Sequence, residues 1–287
     1  MWFLYAFAAA FSESLNSLAG KFQIAKYDIG ILAWAQRAFG LLILLPFAFL
    51  HPWPSLNTTF WLATLGSAIL NIIASLLYFK ALRRAPLSLL APIVTLTPVI
   101  LLVTSPLLTK EIPSLLGIVG VLISVVGAYI LQSNLRNEGF WRPLTSLVRD
   151  PGPRHMLGVA ALWGFSSPLD KIGVVNSSPL VYSTVIHILL CAAFVPLLIR
   201  SKFKMELFRW RGLWRFATVG IFSGLTSIFQ MTAISLAHVA YVISVKRTSS
   251  LFGIVWGKLF FKEKETQRRF LGGMIMLAGT VLILFAK

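Results

Sequence analysis

The sequence predicts an all-α membrane protein, with ten transmembrane helices arranged as two inverted five-helix repeats. Three observations predict it. Of 287 residues, 57% are hydrophobic and 12% charged, with a mean hydropathy of +0.81, whereas soluble chains carry roughly 25% charged residues. The apolar residues fall into runs long enough to cross a ~30 Å hydrocarbon layer as helix. The Lys and Arg residues cluster between alternate runs, and a Lys-Glu-glycine pattern recurs in the second half. No solvated domain fits between the runs. The formal net charge of +17 is therefore read for topology, and no nucleic-acid partner is expected.

The runs cover residues 2–18, 31–50, 60–82, 87–108, 112–132, 156–175, 180–199, 213–236, 239–261 and 270–286. Each is expected to be helical, because open strands would leave backbone groups unpaired in lipid. The first has no Lys or Arg ahead of Trp2 and is interrupted by Glu13, which reads as a retained helix and not a cleaved leader. The third and fourth runs are joined by residues 83–86 alone, which predicts a tight helical hairpin. The fourth carries Pro92, Pro98 and Pro106, each lacking the backbone N–H that a continuous helix needs, so it is expected to kink. The fifth follows Lys110-Glu111, where a carboxylate would suit the helix dipole.

The longest connection, 133–155, is polar and basic and divides the helices five and five. The predicted organisation is a first repeat over 1–132, a linker over 133–155 and a second repeat over 156–287. The seventh run holds the single cysteine, Cys191, so no intramolecular disulfide can form. The eighth and ninth runs are joined by Ala237-His238, a second tight hairpin. Within the ninth, Gly253-x-x-x-Gly257 predicts a close-packing face. The tenth follows Lys262-Glu263.

Nineteen Lys and Arg residues lie in the odd-numbered loops, against Lys110, Lys171 and Lys287 in the even loops and C-terminus. Cytoplasmic loops carry this excess, so the odd loops are expected in the cytoplasm and both termini outside. The basic loops are also expected to sit against anionic lipid headgroups.

Lys110-Glu111, Gly120 and Gly127 recur as Lys262-Glu263, Gly272 and Gly279 at a constant offset of 152. Near the start of each half an offset of 150 aligns Ser17 with Ser167 and Lys21 with Lys171. Five helices per repeat is an odd number, so the second copy enters the membrane upside down. Inverted repeats of this kind are the architecture of secondary transporters, which alternate access around a site near the midplane.

The stretch from Phe79-Lys80-Ala81-Leu82-Arg83-Arg84-Ala85-Pro86 through Ala91-Pro92-Ile93 and Thr97-Pro98-Val99 to Lys110-Glu111 resembles the end of an EamA domain. Val245-Lys246-Arg247-Thr248-Ser249-Ser250-Leu251, followed by Phe261-Lys262-Glu263, is similar to the same stretch in a second copy. The second copy has Ser250 for Pro98 and His238 for Pro86. The resemblance implies a ten-helix transporter of the drug/metabolite transporter superfamily, multi-pass in the plasma (inner) membrane.

Ionisable side chains at membrane depth cost at least about 2.5 kcal/mol each on insertion scales, so each is a candidate for function. Glu13 lies mid-way along the first run. Arg37 is inside the second, and His187 is its repeat counterpart in the seventh. Glu13 is the coupling candidate, since a carboxylate alternately hydrated and paired can take up and release a proton; related small multidrug transporters place a glutamate similarly in their first helix. A static ion pair with Arg37 is the competing reading. Lys246 and Arg247 lie inside the ninth run, and consecutive helical residues stand ~100° apart, so at most one faces a central site. With Arg37 they outnumber Glu13 three to one. That sign favours an anionic or zwitterionic ligand, with snorkelling to the interface as the alternative for one of the pair. Asn71, Tyr78 and Gln230 could hydrogen-bond a ligand, although interhelical bonds are their commoner use. Trp163, and Trp34 with it, could line a cavity.

An enzyme is not expected, because the four His are scattered at 51, 155, 187 and 238 and no HExxH pattern occurs. No cofactor or metal is expected, and no P-loop for an ATP-driven pump is present. A non-transporting receptor or scaffold is the distant alternative. The expected partners are a small-molecule substrate, the bilayer and protons, with the chain a monomer or weak homodimer. Export of amino acids or drug-like amphipaths leads on family grounds, and uptake or exchange of an anionic metabolite is the alternative.

Overall fold

The computed structural model describes residues 1–24, 26–85, 87–132, 141–202, 205, 209–261 and 267–286. Pro86, Lys262, Glu263 and residues 133–140 of the linker lie outside the described residues. Among those described there is no strand. The helices in order are α1 (Trp2–Ile24), α2 (Ile29–Ala38), α3 (Leu41–Leu50), α4 (Thr58–Leu82), α5 (Leu87–Val94), α6 (Thr97–Thr109), α7 (Leu115–Gln132), α8 (Arg142–Arg149), α9 (Pro151–Val175), α10 (Pro179–Arg200), α11 (Trp210–Leu236), α12 (Val239–Lys246), α13 (Ser249–Phe261) and α14 (Gln267–Phe285). Five stretches among the described residues are long and apolar enough to cross a membrane: Gly30–Leu50, Thr58–Tyr78, Leu89–Thr109, Pro179–Arg200 and Gly212–Leu236. Two shorter apolar helices are Leu115–Leu131 and Arg269–Phe285.

Three expected helices are broken in two. The second run is α2 and α3, the fourth α5 and α6, the ninth α12 and α13. The linker contains a helix of its own, α8, and α9 begins at Pro151, ahead of the expected start at Met156.

The boundaries of α5 and α6 reappear in α12 and α13 at an offset of 152, residue for residue. So does the tight turn between them, where Leu96 N–H donates to the Ile93 carbonyl (3.1 Å) and Thr248 N–H to the Val245 carbonyl (3.0 Å). In the first copy Pro92 and Pro98 flank the break. Ser244 and Ser250 stand there in the second, so proline is not what the break requires. Instead, hydroxyls bond back to the preceding turn. Thr95 Oγ1 donates to the Pro92 carbonyl (2.6 Å), Ser244 Oγ to that of Ala240 (2.7 Å) and Thr248 Oγ1 to that of Val245 (2.7 Å), a pattern that bends helices.

The break between α2 and α3 has no such counterpart, because α10 runs through the equivalent position. Pro46 and Pro196 match at an offset of 150, so the proline again does not discriminate. Gly40 does, since Leu190 replaces it in α10. Gly40 and Phe39 lie hard against α11, where a Cβ on Gly224 would stand 2.7 Å from the Gly40 carbonyl oxygen and one on Gly220 2.7 Å from the Phe39 carbonyl carbon. The close-packing Gly-x-x-x-Gly face is therefore Gly220 and Gly224. Gly253 faces open space within 4 Å, which corrects the expectation placed on it.

The chain forms two compact units. Unit 1 is Met1–Ala68 with Asp170–Leu236, and unit 2 is Ile69–Leu169 with Ala237–Lys287. In unit 1, α1 packs along α11, and α2 lies on α10 and α11; Tyr27, Ile31, Ala35 and Phe216 form a buried apolar cluster there. In unit 2 the dominant contact is α7 on α14. A Cβ on Gly120 would stand 2.9 Å from the Gly279 carbonyl oxygen, and one on Gly127 2.7 Å from that of Gly272. The pairing runs oppositely along the two helices, so they cross antiparallel with the repeat glycines at the contact. Glycine there lets the backbones approach closely.

Candidate functional site

Unit 1 places Glu13 on α1, Arg37 in the last turn of α2, His187 on α10 and Gln230 on α11. It adds a residue that sequence reasoning missed. Asp170, on α9, is only 7% exposed, and its Oδ1 accepts hydrogen bonds from Ser67 Oγ on α4 and from Tyr182 OH on α10, the latter at 2.5 Å. Gly173, one turn further along α9, makes room for the Tyr182 ring; a Cβ there would collide with the ring and stand 3.2 Å from Thr64 Oγ1. Ser67 and Tyr182 are themselves fully buried.

Glu13 and Asp170 lie near enough to the Arg37 guanidinium to attract it through space. The Arg37 Nε is buried without a hydrogen-bond partner. His187, 1% exposed, lies beside Arg37 and against Gly40. His187 Nδ1 is 2.8 Å from the Ser183 carbonyl oxygen. A carbonyl only accepts, so Nδ1 carries a hydrogen, and Nε2 has no partner. The Trp34 indole N–H, one turn before Arg37 on α2, is likewise buried and unpartnered. Ser12, Ser14 and Asn16 on α1 and Ser223, Thr226 and Gln230 on α11 are also buried. Interior polar groups are normally satisfied, so unpartnered donors and acceptors around a guanidinium mark a place where a polar ligand or water can bind.

The far end of α2 is fastened. Asp28 Oδ1 caps it by accepting from Ile31 N–H (3.0 Å), while Ser201 Oγ donates to Asp28 Oδ2 (2.5 Å). Arg37 therefore lies at the opposite end of a ten-residue helix, beside the break at Phe39-Gly40.

Unit 2 holds the other expected residues. Tyr78 on α4 and Trp163 on α9 meet with ring centroids 6.4 Å apart and planes inclined at 33°. Asn71 is half-buried on α4. Lys246 ends α12 and Arg247 occupies the break that follows, both half-buried. Glu111 does not open α7, which begins at Leu115. Lys110, in the left-handed region at φ 58°, turns the chain, and Glu111 Oε2 accepts from Val239 N–H (3.2 Å) at the start of α12, 3.8 Å from His238 Nδ1. Tyr241 OH in turn accepts from Ser114 N–H (3.0 Å) at the start of α7, its ring in the space that Gly117 leaves. Each end thus caps the other's helix.

The expected three-to-one excess of cations at depth omitted Asp170. In unit 1 the charged groups of the cluster are two carboxylates and one guanidinium.

Long apolar helices, broken at recurring positions and enclosing ionisable side chains, define a multi-pass helical membrane protein of the transporter class. The model of the EamA-like transporter family matches residues 1–132 and 154–285, and the chain belongs to that family. It is 24% identical, over 98% of its length and 97% of the relative's, to an uncharacterized transporter of Archaeoglobus fulgidus. A crystal structure of another protein, 13% identical, matches 99% of this chain and 98% of its own with a TM-score of 0.75, so the fold is shared where the sequence has diverged. Membership implies a small-molecule substrate and a lipid environment, and the family is one of transporters rather than of enzymes.

Proposed function

We propose that the chain is a secondary active transporter of a small metabolite, working by alternating access between two inverted five-helix halves that together make ten crossings, in the plasma (inner) membrane. The observation that carries this reading is the cluster of Glu13, Arg37, Asp170 and His187 on four helices of unit 1. Charges at membrane depth are costly to insert, and a scaffold has no need of several together with unpartnered polar atoms beside them. The inversion is supported by the recurrence of α5 and α6 as α12 and α13, and by the antiparallel contact of α7 with α14. Exchanging the halves maps the Gly120–Gly279 contact onto Gly272–Gly127, the self-complementary pairing that a two-fold axis requires.

Export of an amino acid or drug-like amphipath, coupled to protons at Glu13, is the leading form of this reading. Two carboxylates around Arg37 give a zwitterion or amine a place for its ammonium group. Uptake or exchange of an anionic metabolite is the second form, favoured by Lys246 and Arg247 at the α12/α13 break. The protein acts as a monomer or a weak homodimer. Counterflow in proteoliposomes with amino acids, amines and phosphorylated sugars, at two pH gradients, separates the forms. Saturable exchange of amino acids or amines is expected. Exchange confined to phosphorylated sugars selects the second form, and no exchange of any class above protein-free liposomes would sink the transport reading.

A further inference from the structure

We propose that the end of unit 2 formed by α8, the start of α9 and the turn after α4 is a binding surface for an anionic phospholipid, whose phosphodiester its arginines hold. Such a surface is independent of the form that transport takes.

The turn after α4 is closed by its own backbone. Arg84 N–H (3.0 Å) and Ala85 N–H (3.1 Å) both donate to the Ala81 carbonyl, which fixes Arg83 and Arg84 at the helix end. The start of α9 lies directly on that turn. A Cβ on Gly152 would stand 2.8 Å from the Ala85 Cβ and 3.4 Å from the Ala85 nitrogen, so glycine is what lets the segment bearing Arg149 and Arg154 come this close to Arg83 and Arg84. Lys80, Arg83, Arg84, Arg149 and Arg154 are exposed around the contact, with the exposed Asp150 among them. Segments 80–85 and 149–154 thus carry five cations and one carboxylate.

α8 borders this basic patch and has two unlike faces. Leu144 and Leu147, three apart, are half-buried, and Leu147 packs on the cluster that holds Leu90 and Ile93 of α5. Trp141, Thr145 and Arg149, at intervals of four, are exposed on the other face, Trp141 by 65%. Asp150, extended at φ −111° and ψ 134°, turns the chain between α8 and α9, so α8 leaves the axis of α9 and packs against α5. Its outward face therefore offers an indole beside guanidinium groups. At an aqueous surface an exposed indole is a liability, whereas the headgroup layer of a bilayer favours Trp, ring toward the chains and N–H toward water. Arginine forks match the free oxygens of a phosphodiester, and an anionic leaflet attracts basic segments at helix ends. In a membrane protein whose helices α4 and α9 meet at this end, a lipid headgroup is the anion within reach.

The test uses the full-length protein in mixed micelles of phosphatidylglycerol and phosphatidylcholine in equal parts, with bound lipid counted by native mass spectrometry. Wild type is expected to retain phosphatidylglycerol in preference to phosphatidylcholine. Arg84→Gln combined with Arg149→Gln and Arg154→Gln should lower that preference at least about tenfold, since each cation near an anionic surface contributes roughly fivefold. Lys202→Gln with Arg209→Gln, in the basic loop of unit 1, should leave it unchanged. No preference in wild type overturns the proposal, as does a preference that survives the triple change. Equal loss in the unit 1 pair also overturns it, by making the preference a property of total charge. Displacement of the lipid by inorganic phosphate at matched ionic strength would assign the arginines to a soluble anion, and displacement by polyglutamate to an acidic protein; either result removes the lipid surface. If the triple variant does not fold, the fluorescence difference between wild type and Trp141→Phe isolates Trp141. That signal should be quenched more by chain-brominated phosphatidylglycerol than by chain-brominated phosphatidylcholine, and equal quenching contradicts the proposal.

Discussion

Unit 1 adds buried side-chain chemistry to its glycine contacts, whereas the dominant packing of unit 2 is the backbone contact of α7 with α14. Unit 1 brings Asp170, Ser67 and Tyr182 together from three helices and leaves polar atoms of Trp34, Arg37 and His187 unsatisfied. Unit 2 presses α7 against α14 at Gly120, Gly127, Gly272 and Gly279 and fastens its helix ends with Glu111 and Tyr241. In lipid the hydrophobic effect does not drive helices together, so small residues and polar pairs do that work instead. Both units use small residues, at Gly220 and Gly224 in unit 1 and at the α7/α14 crossing in unit 2; what distinguishes unit 1 is the buried Asp170 with its two hydroxyl donors.

The sharpest way to break this comparison is to add volume to unit 2. Gly127→Leu places side-chain atoms where the Met276 backbone runs, and no rotamer relieves an overlap with backbone. A loss of more than about 3 kcal/mol is expected, seen as the disappearance of monodisperse protein in detergent; a thermal midpoint like that of wild type would remove the glycine crossing as the scaffold of unit 2. In unit 1, Tyr182→Phe removes one hydrogen bond to a charged acceptor while keeping the ring. Denaturant titration should show destabilisation by about 1.5–3 kcal/mol, and no change would mean that Asp170 is not held as described.

Glu111→Ala takes the cap from α12 and should cost about 0.5–2 kcal/mol, read as a lowered midpoint; the effect belongs to unit 2 and should add to that of Tyr182→Phe. Gly253→Ala is the smallest change. With nothing within 4 Å of the new Cβ, a gain of about 0.4–1 kcal/mol is expected from the lost freedom of the unfolded chain. A loss would show that Gly253 packs closely after all.

Much of this arrangement was legible in the sequence. Apolar runs and the Lys-Glu-glycine repeat are local or periodic features, and the family match covers the same chain. The α5/α6 break was readable from Pro92 and Pro98, but its equal at Arg247-Thr248 was not, because serines stand at both proline positions and the bonds that stabilise the break are made within the fold. Two Gly-x-x-x-Gly patterns look alike in sequence. Only the neighbour decides that Gly220 and Gly224 are contacts and that Gly253 is open.

The site was legible in part for similar reasons. Glu13, Arg37 and His187 stood out as charges or imidazole in apolar runs. Asp170 did not, because the adjacent Lys171 reads as loop charge in the even-loop count, although the run over 156–175 and α9 both extend to Val175 and carry the pair within the helix. Glu111 read as a helix opener because its role depends on a segment 128 positions away.

The central claim is that the ionisable cluster of unit 1 couples protons to transport. The direct measurement is substrate movement in proteoliposomes by wild type and Glu13→Gln, using whichever compound gives counterflow, with and without an imposed pH gradient. The account predicts that Glu13→Gln retains counterflow at equal pH and loses accumulation driven by the gradient. Gradient-driven accumulation by Glu13→Gln at the wild-type level would contradict it.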